Sequence, residues 1–108
     1  MQTIIINYKD TMMLYKSYMP FITPGALYTC TDPFYTLGDR PQVQVTLPKE
    51  TQAFEFTGKI IWIKHLPGKN PKIGIGIALP DNDPMDLKNK ITTLIAHYQS
   101  VEPPTDLL

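Results

Sequence analysis

Apolar and polar residues alternate through much of this chain, and the places where the alternation changes phase divide it into elements. Within residues 42–47, Val43, Val45 and Leu47 alternate with Gln42, Gln44 and Thr46, the pattern of a strand with one buried and one wet face. Residues 3–8 and 26–31 also read as strands, while "TMMLYKSYM" places Met12, Tyr15 and Met19 at nearly helical spacing and predicts a short helical turn. In residues 53–65, Phe54 and Phe56 alternate with Glu55 and Thr57, but beyond Gly58 both faces become apolar. Ile60 and Trp62 share one face there and Ile61 and Ile63 the other, so either a bulge at Gly58 shifts the phase or a second element covers the far side. In "IGIGIAL", Ile73, Ile75, Ile77 and Leu79 lie opposite Gly74, Gly76 and Ala78, a small face that permits close approach by another element.

The pattern turns helical at the end. Leu87, Ile91, Leu94, Ile95 and Tyr98 form an apolar stripe in a helix expected over residues 84–99, with Asp83 as N-cap and Pro84 in the first turn. Its stripe is expected to pack on the sheet. Closely spaced antiparallel strands followed by one helix predict a small barrel or strongly curled sheet, its open side closed by the helix. One domain over residues 1–99 and a flexible tail over 100–108 complete the expectation.

Composition narrows the function. A length of 108 residues suits one core. Ten basic residues balance ten acidic ones, which removes the electrostatic drive for nucleic-acid binding, and Arg40 is the sole arginine, so no paired guanidinium forks can grip a phosphate. Cys30 is the single cysteine, which excludes an internal disulfide and a cysteine-based zinc cage and fits a reducing, cytoplasmic setting. The first ten residues lack a basic stretch and a long apolar run, and no segment approaches the ~18 apolar residues of a membrane span. Neither export nor insertion is expected.

Catalytic and cofactor chemistry finds little support. The glycines of "IGIGIA" alternate within a strand rather than opening a helix, which a dinucleotide fingerprint requires. His65 and His97 stand on different elements without nearby ligands, the acids cluster in turns, and Ser17, Ser100 and Cys30 lack a recognisable base partner. No enzyme activity, cofactor or metal is expected. What stands out is the density of large residues in "MMLYKSYMPFITPGALY". A domain this small cannot bury all of them along a Pro-broken segment, and Tyr, Trp and Met serve adaptable protein surfaces.

The order "FITPGALYTC", "LGDRPQVQVTLP", "FTGKIIWIK" and "IGIGIAL" resembles the PilZ domain family, and "YKSYMPF" with the helix "LKNKITTLIAHY" is similar to its type IV pilus assembly members. The resemblance covers roughly residues 4–99. It implies a six-stranded antiparallel β-barrel with a C-terminal amphipathic helix. Family members at large bind cyclic di-GMP through R-x-x-x-R and [D/N]-x-S-x-x-G. The first motif is absent here, and the second, laid on "FITPGA", meets Phe21 in place of the acid or amide, Thr23 at the serine and Ala26 at the glycine; shifted by one, it gains Gly25 but puts Pro20 at the acid. The usual cyclic di-GMP mode is therefore not expected.

The resemblance implies instead a cytoplasmic adaptor for twitching motility, binding a pilus extension ATPase of the PilB type and an EAL-domain regulator of the FimX type, with an atypical cyclic di-GMP or other nucleotide receptor as the alternative. The expected contact residues are Tyr15, Tyr18, Met19, Pro20 and Phe21 before the turn, Tyr28 and Phe34 beyond it, and Trp62 with Ile63. Trp62 is the expected anchor, half-covered by its own domain.

Overall fold

The computed structural model describes residues 3–20, 22, 25–68, 72–80 and 86–96. The alternating segments form β1 (Ile4–Asn7), β2 (Tyr18–Met19), β3 (Ala26–Thr31), β4 (Gln42–Thr46), β5 (Ala53–Thr57), β6 (Lys59–His65) and β7 (Ile73–Ala78), with helices α1 (Thr11–Ser17) and α2 (Leu87–Ile95). This departs from the expected six-stranded antiparallel barrel. Among the described residues, seven strands make two sheets, β1-β4-β5 and β2-β3-β7-β6, without closing into a barrel. One pairing is parallel: Ile4 lies opposite Val43 and Asn7 opposite Thr46, which the long connection through α1, β2 and β3 permits. Closure by hydrogen bonds is replaced by closure through a shared core.

That core follows from the alternation. β1 buries Ile4 and Ile6 and leaves Ile5 outside, β4 buries Val43 and Val45, and β7 buries Ile73, Ile75 and Ile77, so the inner faces of both sheets meet in one apolar cluster. Leu14 and Tyr15 of α1 join it, as do Leu87, Ile91 and Ile95 of α2, spaced one helical turn apart. Each fully buried side chain of this kind contributes roughly 1.5–3 kcal/mol.

Gly58 joins the sheets. It alone separates β5 from β6, so the expected continuous run 53–65 crosses from one sheet to the other, and its N–H donates to the Pro41 carbonyl at 2.9 Å. A Cβ at Gly58 would collide with Cγ2 of Ile77 in one sheet and lie 3.1 Å from Cγ2 of Val43 in the other. The corner is tight because two inner faces converge on a residue without a side chain.

The bulge lies elsewhere than Gly58. Ile60 pairs with Ile77, Trp62 with Gly76 and Ile63 with Ile75, which leaves Ile61 as the extra residue of β6. The phase resets there, so Ile60 and Ile63 both turn to the core, and Trp62 takes the opposite face rather than sharing one with Ile60.

The helices start where their caps place them. Asp10 caps α1, its carboxylate accepting from the Met13 N–H at 2.8 Å. Before α2, Asp86 is left-handed at φ 58°, a conformation no continuous right-handed helix crosses, so the helix expected from Pro84 starts at Leu87. Asp86 still serves that end: its carbonyl accepts from the Lys90 N–H and its carboxylate from the Asn89 side chain at 2.8 Å. Asp83, Pro84, Tyr98, Gln99 and the tail 100–108 lie outside the described residues.

Candidate functional site

Because Ile73, Ile75 and Ile77 face the core, Gly74, Gly76 and Ala78 face outward from the four-stranded sheet. Register then places three rows across this outer face. One runs Cys30, Gly74, Lys64; the next Tyr28, Gly76, Trp62; the third Met19, Ala26, Ala78, Lys59. Large side chains from β2, β3 and β6 converge over a floor of glycine.

The floor accommodates them closely. A Cβ on Gly74 would fall 2.7 Å from Cε2 of Tyr28, and one on Gly76 would fall 3.1 Å from Cβ of Trp62 and 3.3 Å from Sδ of Met19. Tyr28 and Trp62 meet with ring centroids 5.7 Å apart and planes tilted by 58°, a favourable edge-to-face approach. Both rings are half-buried, whereas Met19 is 1% exposed and stands apart from the main core cluster, tucked under this second, smaller apolar group. The Tyr28 hydroxyl lies 3.6 Å from Cys30 Sγ, and burial, together with the thiol, pushes its pKa up to about 12. Burial likewise raises the phenols of Tyr18 and Tyr8, the latter buried without a hydrogen-bond partner of good geometry. At neutral pH the aromatic patch is therefore uncharged.

Beyond β3 a second apolar feature stands out. Phe34 is 78% exposed and Leu37 65%, on a loop tied down at several points. Lys72 pairs with Asp32 at 2.7 Å, Thr36 donates through its N–H and hydroxyl to the Asp39 carboxylate, and Gly38 and Asp39 exchange backbone hydrogen bonds with Ile60. The loop holds its apolar tips in water by local order.

The expected contact residues thus separate. Tyr28 and Trp62 are brought together and half-exposed, Ile63 is half-buried and packs against the core, and Phe34 and Pro20 are exposed. Tyr15 and Tyr18 are buried in the main core, and Met19 lies beneath the outer patch, so these three lie beneath the surface rather than on it. Phe21 lies outside the described residues, as do Thr23 and Pro24 of the overlaid ligand motif; Gly25 is described, at φ 122°. Gly74, Gly76, Lys59 and Lys64 complete the face, and Leu37 stands exposed on the separate loop with Phe34, none of them having been singled out as contacts. The glycine face in "IGIGIA" and the lysines bracketing "IIWI" were the available signals.

Other depressions lie elsewhere. One of about 270 Å³ is lined by Glu50, Asp86, Asn89, Lys90, Thr93 and Leu94, and another of about 380 Å³ by Thr3, Ile5, Gln42, Val43, Gln44 and Glu55. Neither holds an aromatic ring or Arg40 to stack on or grip a nucleotide. Among the described residues no three His, Cys, Asp or Glu side chains gather to hold a metal ion, and no helix is long and apolar enough to cross a membrane.

The family model of the PilZ domain matches residues 3–97, and the chain belongs to that family. It is a family of binding and adaptor domains related to cyclic di-GMP. A comparison with curated proteins found no match.

Proposed function

We propose that this PilZ domain is a cytoplasmic protein-docking adaptor of type IV pilus assembly, and that the Tyr28–Trp62 face is its contact surface. The reading rests on one observation above all: two large rings, half-exposed and in contact, stand over Gly74 and Gly76 on the sheet face opposite the core that both described helices join. Packing of this kind supplies a preformed anchor. A ring already fixed by its neighbours loses little side-chain entropy on binding, and aromatic anchors near the centre of an interface carry much of its energy.

The partners in this reading are the pilus extension ATPase and the EAL-domain regulator that senses cyclic di-GMP. Occupancy of the adaptor links the regulator's ligand state to the motor, a coupling of binding equilibria that needs no chemistry at the adaptor itself. Phe34, with Leu37, and Pro20 extend the contact surface at its margins. The sole arginine supports a domain that does not hold cyclic di-GMP by the family's paired-guanidinium mode.

The test is calorimetry of the purified chain against the extension ATPase, the regulator's EAL domain and cyclic di-GMP, with Trp62→Ala and Gln44→Ala as paired variants. Weakened protein binding by Trp62→Ala alone is expected, together with loss of surface pili in cells carrying it. A folded Trp62→Ala chain that binds both partners like the parent removes the anchor, and micromolar binding of cyclic di-GMP to the isolated chain overturns the adaptor reading.

A further inference from the structure

The charges around the aromatic pair have a definite sense. Lys59 and Lys64 lie one row to either side of Trp62 on the outer face of β6, opposite Ala78 and Gly74. Both are exposed, and neither ammonium group forms an ion pair or hydrogen bond among the described residues. The four strands of this sheet contain no Asp or Glu. Asp32, just beyond β3, already has its carboxylate on Lys72 at 2.7 Å. An apolar centre is thus flanked along one edge by two cations, with no carboxylate on the strands of this sheet to neutralise them.

A partner covering Trp62 must bring something against those ammonium groups. A carboxylate gives each a charge-assisted hydrogen bond; a cation is repelled, and a neutral group forgoes the stronger bond. We infer that the Tyr28–Trp62 face takes a protein segment whose apolar side chains are flanked by carboxylates, with Trp62 and Tyr28 receiving the apolar part and Lys59 and Lys64 the acidic flanks. This rests on the docking reading above and specifies the chemistry of what docks. Phosphate-bearing partners fit the face less well. It has no arginine for bidentate contact, and two lysines fall short of the clusters of about four to eight that anionic membrane surfaces recruit.

The single tryptophan makes the face its own reporter. The full chain is titrated with three capped peptides sharing a Leu-Phe-Leu centre and flanked on both sides by Glu, by Gln or by Lys. Trp62 emission and amide NMR shifts are followed, with phosphatidylcholine vesicles containing a minority of phosphatidylglycerol as a further arm. The Glu peptide is expected to bind about threefold to tenfold more tightly than the Gln peptide, and the Lys peptide weakest. Its shifts centre on Tyr28, Trp62, Gly74 and Gly76. Raising ionic strength from about 0.05 M to about 0.5 M narrows the spread, and so does Lys59→Gln with Lys64→Gln in a chain whose circular dichroism matches the parent.

Equal binding of all three peptides at this face overturns the acidic-partner inference and leaves the docking reading standing. Peptide shifts confined to other surfaces, or no binding by any peptide, overturn the inference, and failure of the full-length partners to bind separately removes the docking reading. Vesicles that shift Trp62 emission where the Glu peptide does not would assign the face to a membrane instead.

Discussion

On the outer face of β1-β4-β5, Ile5, Gln44 and Glu55 stand in one row, and in the next Gln42 donates to the Thr57 hydroxyl at 2.9 Å. The corresponding rows of β2-β3-β7-β6 carry Tyr28, Gly76 and Trp62, then Cys30, Gly74 and Lys64. Inward, the sheets are alike, each giving isoleucine, valine or leucine to one cluster. The difference outward lies in how the space above the sheet is filled. Extended polar side chains on one sheet reach into water, with Ile5 standing alone among them at 62% exposure. On the other, Gly74 leaves room for the Tyr28 ring and Gly76 for Met19 and the base of Trp62, which builds a local apolar group on the sheet's outer face. A lone exposed isoleucine is ordinary surface, whereas fixed, clustered rings make a binding feature.

The largest effects test the sameness of the inner faces. Ile77→Ala is expected to cost about 2–5 kcal/mol in urea unfolding, since the side chain is fully buried where the sheets converge. A loss below about 1 kcal/mol would mean that the two sheets do not share one close-packed core. Gly58→Ala is next, at about 1–3 kcal/mol, because Val43 and Ile77 must both yield to the new methyl group.

Smaller effects separate the outer faces. Gly74→Ala displaces the Tyr28 ring, which alters Trp62 emission and near-UV dichroism at a cost of about 1 kcal/mol. Gln44→Ala, its counterpart on the other sheet, stays within about 0.5 kcal/mol. Unchanged Trp62 emission in folded Gly74→Ala would break the contrast between the two faces.

The smallest effect is a titration. Folded Tyr28 holds its proton up to about pH 12, against an ordinary value of 10. Below the ordinary value both folded and unfolded chains are protonated and the contribution is fully present. It is lost as pH rises through the folded value, because the unfolded chain ionises first. Tyrosinate absorbance of the parent compared with Tyr28→Phe identifies the step, and Cys30→Ser is expected to move it part of the way back, leaving the larger effect of burial.

Much of this was legible in local pattern. Strand β3 falls at residues 26–31 as expected, β4 follows from strict alternation, and Leu87, Ile91 and Ile95 form the buried stripe of α2. What was not legible depends on partners distant in sequence. The step at Ile61 arises from register against β7, and a one-residue bulge looks locally like two apolar faces. Gly58 reads as a possible bulge until Val43 and Ile77 are seen to converge on it. Tyr15, Tyr18 and Met19 carry no local sign that helix packing and a two-sided sheet would bury them, while Trp62 owes its outward position to the same bulge. The left-handed Asp86 that sets the start of α2 has no signature in the apolar stripe.

The Gly58 corner also bears on the order in which the chain assembles. From β4 to β7, each strand pairs with the next or joins it through this one residue, so a contiguous stretch can collapse through short-range contacts. β1 must wait for Val43, and β3 for a β7 that lies far along the chain; such closures carry greater entropic cost and are slow. Pulse-labelled hydrogen exchange during refolding should therefore protect Val45, Phe54, Ile60 and Gly74 before Ile6 and Leu27. Simultaneous protection would mean instead that the N-terminal strands belong to the nucleus. In the sequential case the glycine floor exists before β3 arrives to lay Tyr28 upon it, and the docking face is the last part of the domain to mature.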